Sequence, residues 1–436
     1  MNSPQSAPSW VERDRRRVWH GFTQMAAYPD NRPVMVERAE GREVIDVDGR
    51  RYLDAISSLW VTTLGHRVPE LDEALSEQLG RVAHSTLLGN GSTVVVELAE
   101  ALAGVVPVED PRFLFASDGA AAVEQALKMA FQYWWNLGVR SRDRYLVLGD
   151  AYHGDTVGSL SLGDGGFGTD LFDPLRFPGV VRTPGYRDPS WLSSALRALS
   201  DVGPSLAAVV LEPVVQGAAG MYVASPADVA TFVGACRDAG VLVICDEVAT
   251  GFGRTGAMFA SSLCGVRPDI MTIGKGIAGG YLPMSATVAS GPVAAAFEGE
   301  DLGARTFYHG HSFGGNALAA AVALRHLSLF DSWGVLANVA ARAAELSDLL
   351  AASVAKHPAV GEVRQCGLMA GVELAPPSPG LRWGRRVCAA AVERGVLLRP
   401  LGDVVVLMPI LTSTAEEIDR IVSVLAAAVE EVCTAP

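Results

Sequence analysis

From Phe113 to about Phe330, short apolar runs rich in β-branched residues alternate with stretches whose Leu, Val and Ala recur at helical spacing. In order, these are RFLFAS, a helical pattern over 119–137, RYLVLGD, a helix after His153, AAVVLEPV, a helix over 226–239, VLVICDEV and IMTIGK. Runs that are apolar throughout, rather than at every second position, suit strands covered on both faces. Their alternation with helices predicts an α/β, doubly wound, mostly parallel sheet that takes its ligands at the carboxyl ends of the strands. Before it, Val-Asp-Gly within Arg38 to Asp54 reads as a hairpin, and Pro69–Gly80 and Ser92–Leu102 have helical spacing. After it come an amphipathic helix over Trp333–Leu350, strand-like GEVRQCGLMAGVEL, a helix near 381–394, VLLRPLGDVVVLMPIL, and a last helix from Thr414 to about Cys433. The expected division is an N-terminal arm and small-domain segment over 1–70, a large domain over 71–330, and a smaller α+β domain completed by 331–436. The polar, Arg-rich first 20 or so residues are expected to begin disordered or as an arm.

The polar residues that interrupt this pattern gather at strand ends. Val241–Cys245 closes on Asp246 and Glu247, and Ile270–Ile273 closes on Gly274-Lys275-Gly276. Opposite charges at neighbouring strand ends suggest one shared ligand, or a salt bridge from Lys275 to Asp246 or Glu247. Ser117-Asp118-Gly119-Ala120-Ala121 lies between a strand and a helix, so its N–H groups can bind an anion; an ordinary helix capped by Asp118 is the alternative. Tyr152 and His153 follow another strand, where an aromatic ring can stack on a flat ligand and the histidine can bond backbone. Glu212-Pro213 closes a further strand. His309 and His311 have H-x-H spacing, but no acid or cysteine cluster accompanies them, so no metal is expected. Gly251-Phe252-Gly253-Arg254-Thr255-Gly256 is rich in glycine but does not open a βαβ unit, which excludes a dinucleotide fingerprint.

An Asp-Glu after a buried strand, then Gly-Phe-Gly-Arg-Thr-Gly, then Gly-Lys-Gly after the next strand resembles the class III (ω-) aminotransferases, of the fold type I pyridoxal phosphate enzymes. The resemblance implies that Lys275 carries pyridoxal 5'-phosphate as a Schiff base and moves protons, and that Asp246 faces the pyridine nitrogen and keeps it charged. It further implies Tyr152 on one ring face and Val248 on the other, Gly119 and Ala120 at the phosphate, and His153 and Glu212 beside the lysine. The Ser312 hydroxyl would reach the cofactor phosphate of a neighbouring subunit, so a homodimer with shared active sites is expected.

Further motifs narrow the likeness to the branch that forms 7,8-diaminopelargonate from 8-amino-7-oxononanoate in biotin synthesis. They are Trp19 to Met25, Ser57-Ser58-Leu59-Trp60, Lys128 to Trp134, Tyr152 to Thr156 and Leu398-Arg399-Pro400. Arg399 would bind the far carboxylate of that ketone, with Trp60 and Leu59 along its methylene chain and Arg254 at a donor carboxylate or Glu212. Forms using S-adenosylmethionine as amino donor carry Tyr, Trp and Pro where Phe22, Leu59 and His311 stand, so these positions side with lysine. Another ω-aminotransferase with the same cofactor residues is the alternative.

Size and charge agree with a small-molecule enzyme. The 436 residues are 49% hydrophobic, enough to bury a large core, and the net charge of −13 opposes nucleic acid or anionic membrane as partner. Mean hydropathy is +0.25, but no apolar run reaches the roughly 18 residues a membrane span needs. The first residues lack the apolar stretch of a secretory signal, so a cytoplasmic protein is expected. The six cysteines lack paired spacing and read as buried reduced thiols.

Overall fold

The computed structural model describes residues 8–164, 168–378 and 380–434. Its main sheet has seven strands in the order Arg112–Ala116, Ser285–Ala289, Ile270–Ile273, Leu242–Asp246, Leu206–Leu211, Arg144–Leu148 and Val180–Thr183. All neighbours run parallel except Ser285–Ala289, which is antiparallel to both of its partners. The sheet is doubly wound because its side chains alternate between two covered faces. Val209, Leu211, Val243 and Cys245 pack against the helices Trp191–Val202 and Pro226–Asp238. Their neighbours Ala208, Val210, Leu242 and Ile244 pack against the helix Gly119–Asn136. Every residue of Leu206–Leu211 is buried, and each such Val or Leu contributes roughly 1.5–3 kcal/mol relative to exposure. A charge at Val210 or Ile244 would therefore have no compensating partner.

The strands Val180–Thr183 and Ser285–Ala289 and the helix Trp191–Val202 are additions to the predicted series. Val180–Thr183 is an edge strand with one buried residue, and Ser285–Ala289 carries buried Ser285 and Thr287, whose hydroxyls donate to the carbonyls of Asp118 and Ala122. Those hydroxyls disguise a central strand as a polar loop. The N-terminal residues also differ from expectation: residues 1–7 lie outside the described residues, but Trp10–Arg17 is a helix opened by a capping box between Ser9 and Glu12.

The Val-Asp-Gly hairpin joins Glu43–Asp46 to Arg51–Asp54. Its sheet is completed by Val36–Glu40 and by Val396–Leu397 from near the other end of the chain. A second four-stranded sheet gathers Val360–Cys366, Met369–Leu374, Val404–Leu407 and Arg399–Leu401. The helices Val335–Leu349, Trp383–Glu393 and Ala415–Cys433 accompany it, close to their predicted bounds. Among the described residues no helix is long and apolar enough to cross a membrane.

Candidate active site

A cavity of about 760 Å³ opens at the carboxyl ends of the main strands. The predicted residues Gly119, Ala120, Tyr152, His153, Glu212, Asp246, Val248, Lys275 and Trp60 all line it. Asp246 ends a strand that is buried throughout. One of its oxygens accepts from the Thr272 hydroxyl at 2.9 Å and the Val248 N–H at 3.1 Å, and the other meets His153 Nδ1 at 2.7 Å. The carboxylate is thereby aimed. Burial opposes a charge on His153, but the hydrogen bond and charge of Asp246, with Glu212 adding, hold its pKa above the ordinary value. His153 therefore bonds the acid and not backbone, and its Nε2 is buried without a hydrogen-bond partner.

Lys275 stands two residues beyond the end of its strand, after Gly274, at a positive φ of 42°, a sparsely populated conformation that costs about 1 kcal/mol or more and recurs at functional sites. Burial lowers its pKa, while Asp246 and Glu212 partly offset that. Its amine forms no ion pair with either candidate acid; it lies 4.6 Å from the centre of the Trp60 ring. Glu247, the other candidate partner, is spent elsewhere, accepting from the N–H groups of Ala260 and Ser261 and the Thr250 hydroxyl. Glu212 accepts from the N–H groups of Gly217 and Tyr152. Burial raises its pKa to about 7, the nearby His153 charge pulling the other way.

At the other end of the cavity the helix Gly119–Asn136 begins. Asp118 caps it by accepting from the Ala121 N–H at 2.9 Å, while the N–H groups of Gly119 and Ala120 belong to the first turn, which has no preceding carbonyl to accept them. The capped helix and the anion cradle are thus one structure. Glycine is required here: a Cβ on Gly119 would stand 2.7 Å from Val248 Cγ1, and one on Gly154, at φ +123°, would stand 2.5 Å from the Ala120 Cβ. An anion at backbone donors, a flat ring between Tyr152 and Val248, a carboxylate across the cavity and an amine with no hydrogen bond among the described residues together fit pyridoxal phosphate.

Five of the other predicted residues stand outside the cavity wall, as does Arg399. Arg254 is 1% exposed and donates to the carbonyls of Thr62 and Pro409, both at 2.7 Å. It ties three segments together. Phe22 and Leu59 are 67% and 45% exposed. His311 reaches the wall indirectly, with Nε2 2.9 Å from the Ser117 hydroxyl. Ser312 is exposed and its carbonyl accepts from His84 Nε2. Arg399 is half-buried, paired across the sheet with Val406. Conversely, Tyr281, Leu282, Pro283 and Met284 line the cavity unforeseen; they precede the strand disguised by its hydroxyls. Tyr152 donates its hydroxyl to Asp155 at 2.8 Å, and burial then raises its pKa.

A family model described as aminotransferase class III matches residues 25–429. The adenosylmethionine-8-amino-7-oxononanoate aminotransferase of Nitratidesulfovibrio vulgaris is 43% identical over 437 positions, covering 95% of this chain and 80% of that one. The crystal structure of the like-named enzyme from Methanocaldococcus jannaschii matches with a TM-score of 0.93 at 35% identity, over 97% of this chain and 98% of that one. An (S)-enantioselective ω-transaminase from Thermomicrobium roseum matches at 0.90 and 34% identity, over 97% and 98%.

Proposed function

The chain belongs to the class III aminotransferases, which depend on pyridoxal phosphate, and from that premise we propose that it aminates 8-amino-7-oxononanoate to 7,8-diaminononanoate in biotin synthesis. The observation that carries the proposal is the pairing of a complete cofactor cradle with Trp60 beside the lysine in a cavity whose lining is largely apolar. The name of the relative that is 43% identical points to the same acceptor.

When bound, pyridoxal phosphate supplies an electron sink that stabilises negative charge at a substrate carbon. Lys275 is proposed to take the proton from that carbon and return it at the cofactor, for which its lowered pKa and unpaired amine are suited. Asp246, fixed by Thr272 and His153, would hold the ring nitrogen's proton, and Tyr152 and Val248 would fix the ring plane. Gly119 and Ala120 would hold the phosphate. Glu212, which is half protonated near pH 7, would limit negative charge beside the lysine. Arg399 is proposed to receive the acceptor's carboxylate, and the division at residues 70 and 330 to separate cofactor-binding from substrate-covering parts. A second copy of the chain is proposed to bring Ser312 to the phosphate. Its support is the exposed aromatic surface of Phe131, Trp135, Tyr308 and Phe313, the first three of which line a second cavity.

Lysine is the proposed amino donor, because Phe22, Leu59 and His311 replace the Tyr, Trp and Pro of the S-adenosylmethionine forms. S-adenosylmethionine is the second reading, favoured by the names of relatives at about 40% identity. One experiment tests both. Protein loaded with pyridoxal phosphate is mixed separately with each donor, following loss of the lysine-bound cofactor's absorbance; the ketone is then added and diaminopelargonate measured. Recovery of the absorbance with product supports the reading, and bleaching without recovery transfers the enzyme to another acceptor.

A further inference from the structure

Ser57, Ser58, Leu59 and Trp60, four consecutive residues with side chains, hold φ of 50, 48, 76 and 71°. The Trp60 N–H bonds the Ile56 carbonyl at 2.8 Å and the Val61 N–H bonds that of Ser57 at 2.9 Å, so the segment closes as a single left-handed helical turn. L-residues avoid such a turn because each Cβ crowds the following carbonyl, and no glycine relieves it here. Something outside the turn must hold it.

That group is Asp54, 2% exposed at the end of the strand Arg51–Asp54. Its Oδ1 accepts from the Ser58 N–H at 3.0 Å, and its Oδ2 accepts from the Ser58 hydroxyl at 2.8 Å and meets His66 Nε2 at 3.1 Å. The Ser57 hydroxyl donates to the Met408 carbonyl at 2.7 Å, fixing the other side. The turn delivers the Trp60 ring into a closed slot: a Cβ on Gly217 would lie 3.4 Å from it, and the Lys275 amine lies 4.6 Å from its centre. Asp54 does not line the cavity, but a right-handed or extended path through 57–60 would carry the ring off the lysine.

We infer that Asp54 is a positioning residue of the active site, which holds a strained left-handed turn and thereby fixes the Trp60 ring where a substrate must pass to reach Lys275. The inference rests on the aminotransferase reading but not on the acceptor's identity. Its test compares Asp54→Ala, and Asp54→Ala combined with Ser58→Gly, as cofactor-loaded enzymes. Asp54→Ala is expected to keep the lysine-bound absorbance and to raise the KM for the ketone about tenfold with kcat within about threefold. Ser58→Gly, which takes positive φ freely, is expected to return the KM to within about threefold of wild type. The midpoint of the absorbance's pH titration should also fall by about half a pH unit in Asp54→Ala, as an amine loses its aromatic face. Were Asp54 only a support of the fold, loaded yield and melting temperature would fall while KM and the titration stayed unchanged, and that result overturns the inference. Should Asp54→Ala not fold, Ser58→Ala removes a single bond to the same carboxylate: a KM raised about threefold supports the inference, and an unchanged KM overturns it. If the wild type does not use 8-amino-7-oxononanoate, the proposed acceptor falls. The same KM series is then read with the amino donor, which must pass the same ring, and decides in the same way.

Discussion

The side of the cavity built by the main sheet and the side expected to face the substrate are held by different means. Asp246, Glu212 and His153 are 5%, 5% and 3% exposed; Asp246 and Glu212 accept several bonds apiece, and His153 is bonded to Asp246. Asp246 ends its strand and Glu212 follows the next directly, so the sheet sets their positions, and Asp246 in turn holds His153. Of the residues expected at the substrate, Phe22 and Leu59 are exposed and His311 touches the wall only through Ser117. The cofactor side is built within one chain apart from Ser312, which a second copy is expected to bring to the phosphate. The substrate side is open in one chain, as expected of a pocket that a second copy completes.

The widest separation between the two sides comes from removing the residue both substrates share. Lys275→Ala is expected to lower transamination with any donor by roughly 10³ or more, because the proton carrier and the cofactor's attachment go together. Loss of the lysine-bound absorbance measures the attachment separately. Turnover within tenfold of wild type would remove the chemical role of Lys275 and the comparison with it.

Next in size are the two arginines, which the sequence alone makes equivalent candidates. Arg254→Ala leaves the Thr62 and Pro409 carbonyls and a buried void, so a stability loss of about 4 kcal/mol is expected. The KM of the loaded fraction should barely change. Arg399→Ala is expected to do the reverse, raising the ketone's KM roughly 10- to 100-fold at nearly constant melting temperature. The donor half-reaction should be nearly intact, and equal damage to both half-reactions would give Arg399 a shared role.

Those two arginines also show what was legible in the chain. The cofactor side could be read because each of its residues follows a short apolar run, and a motif of a few residues carries both the strand and the group at its end. The hydrogen bonds of Arg254 could not be read, since its acceptors are backbone carbonyls 192 and 155 positions away, which carry no side-chain signature. Trp60 was legible as a motif, but its left-handed turn was not, because Ser-Ser-Leu-Trp contains no glycine to mark positive φ. Tyr281 to Met284 were missed with the strand behind them, whose Ser285 and Thr287 look solvated until their acceptors are known.

A smaller effect would sharpen the cradle itself. Gly119→Ala puts a methyl group 2.7 Å from Val248 Cγ1, so Val248 must retreat from the face of the bound ring. Cofactor affinity is expected to weaken about tenfold, with kcat at saturating cofactor within a few-fold. Unchanged affinity by equilibrium titration would show that the cradle is softer than its packing implies.

The smallest expected change concerns Glu212. Its pKa stands at about 7 in the fold against 4.5 ordinarily, chiefly through burial. A carboxyl with a raised folded pKa stabilises the fold while protonated, so its contribution is whole below 4.5 and is lost as the pH rises through about 7. Wild-type protein should therefore lose roughly 2–3 °C in melting temperature between about pH 5 and 8 that Glu212→Gln does not lose. The glutamine retains an oxygen for the Gly217 or Tyr152 N–H, so the difference isolates the charge. If both proteins follow the same pH curve, Glu212 is ionised throughout, and the cradle carries a second full negative charge beside Asp246. Lys275 would then be held protonated more firmly than its burial suggests, which a higher pH optimum for the donor half-reaction would register.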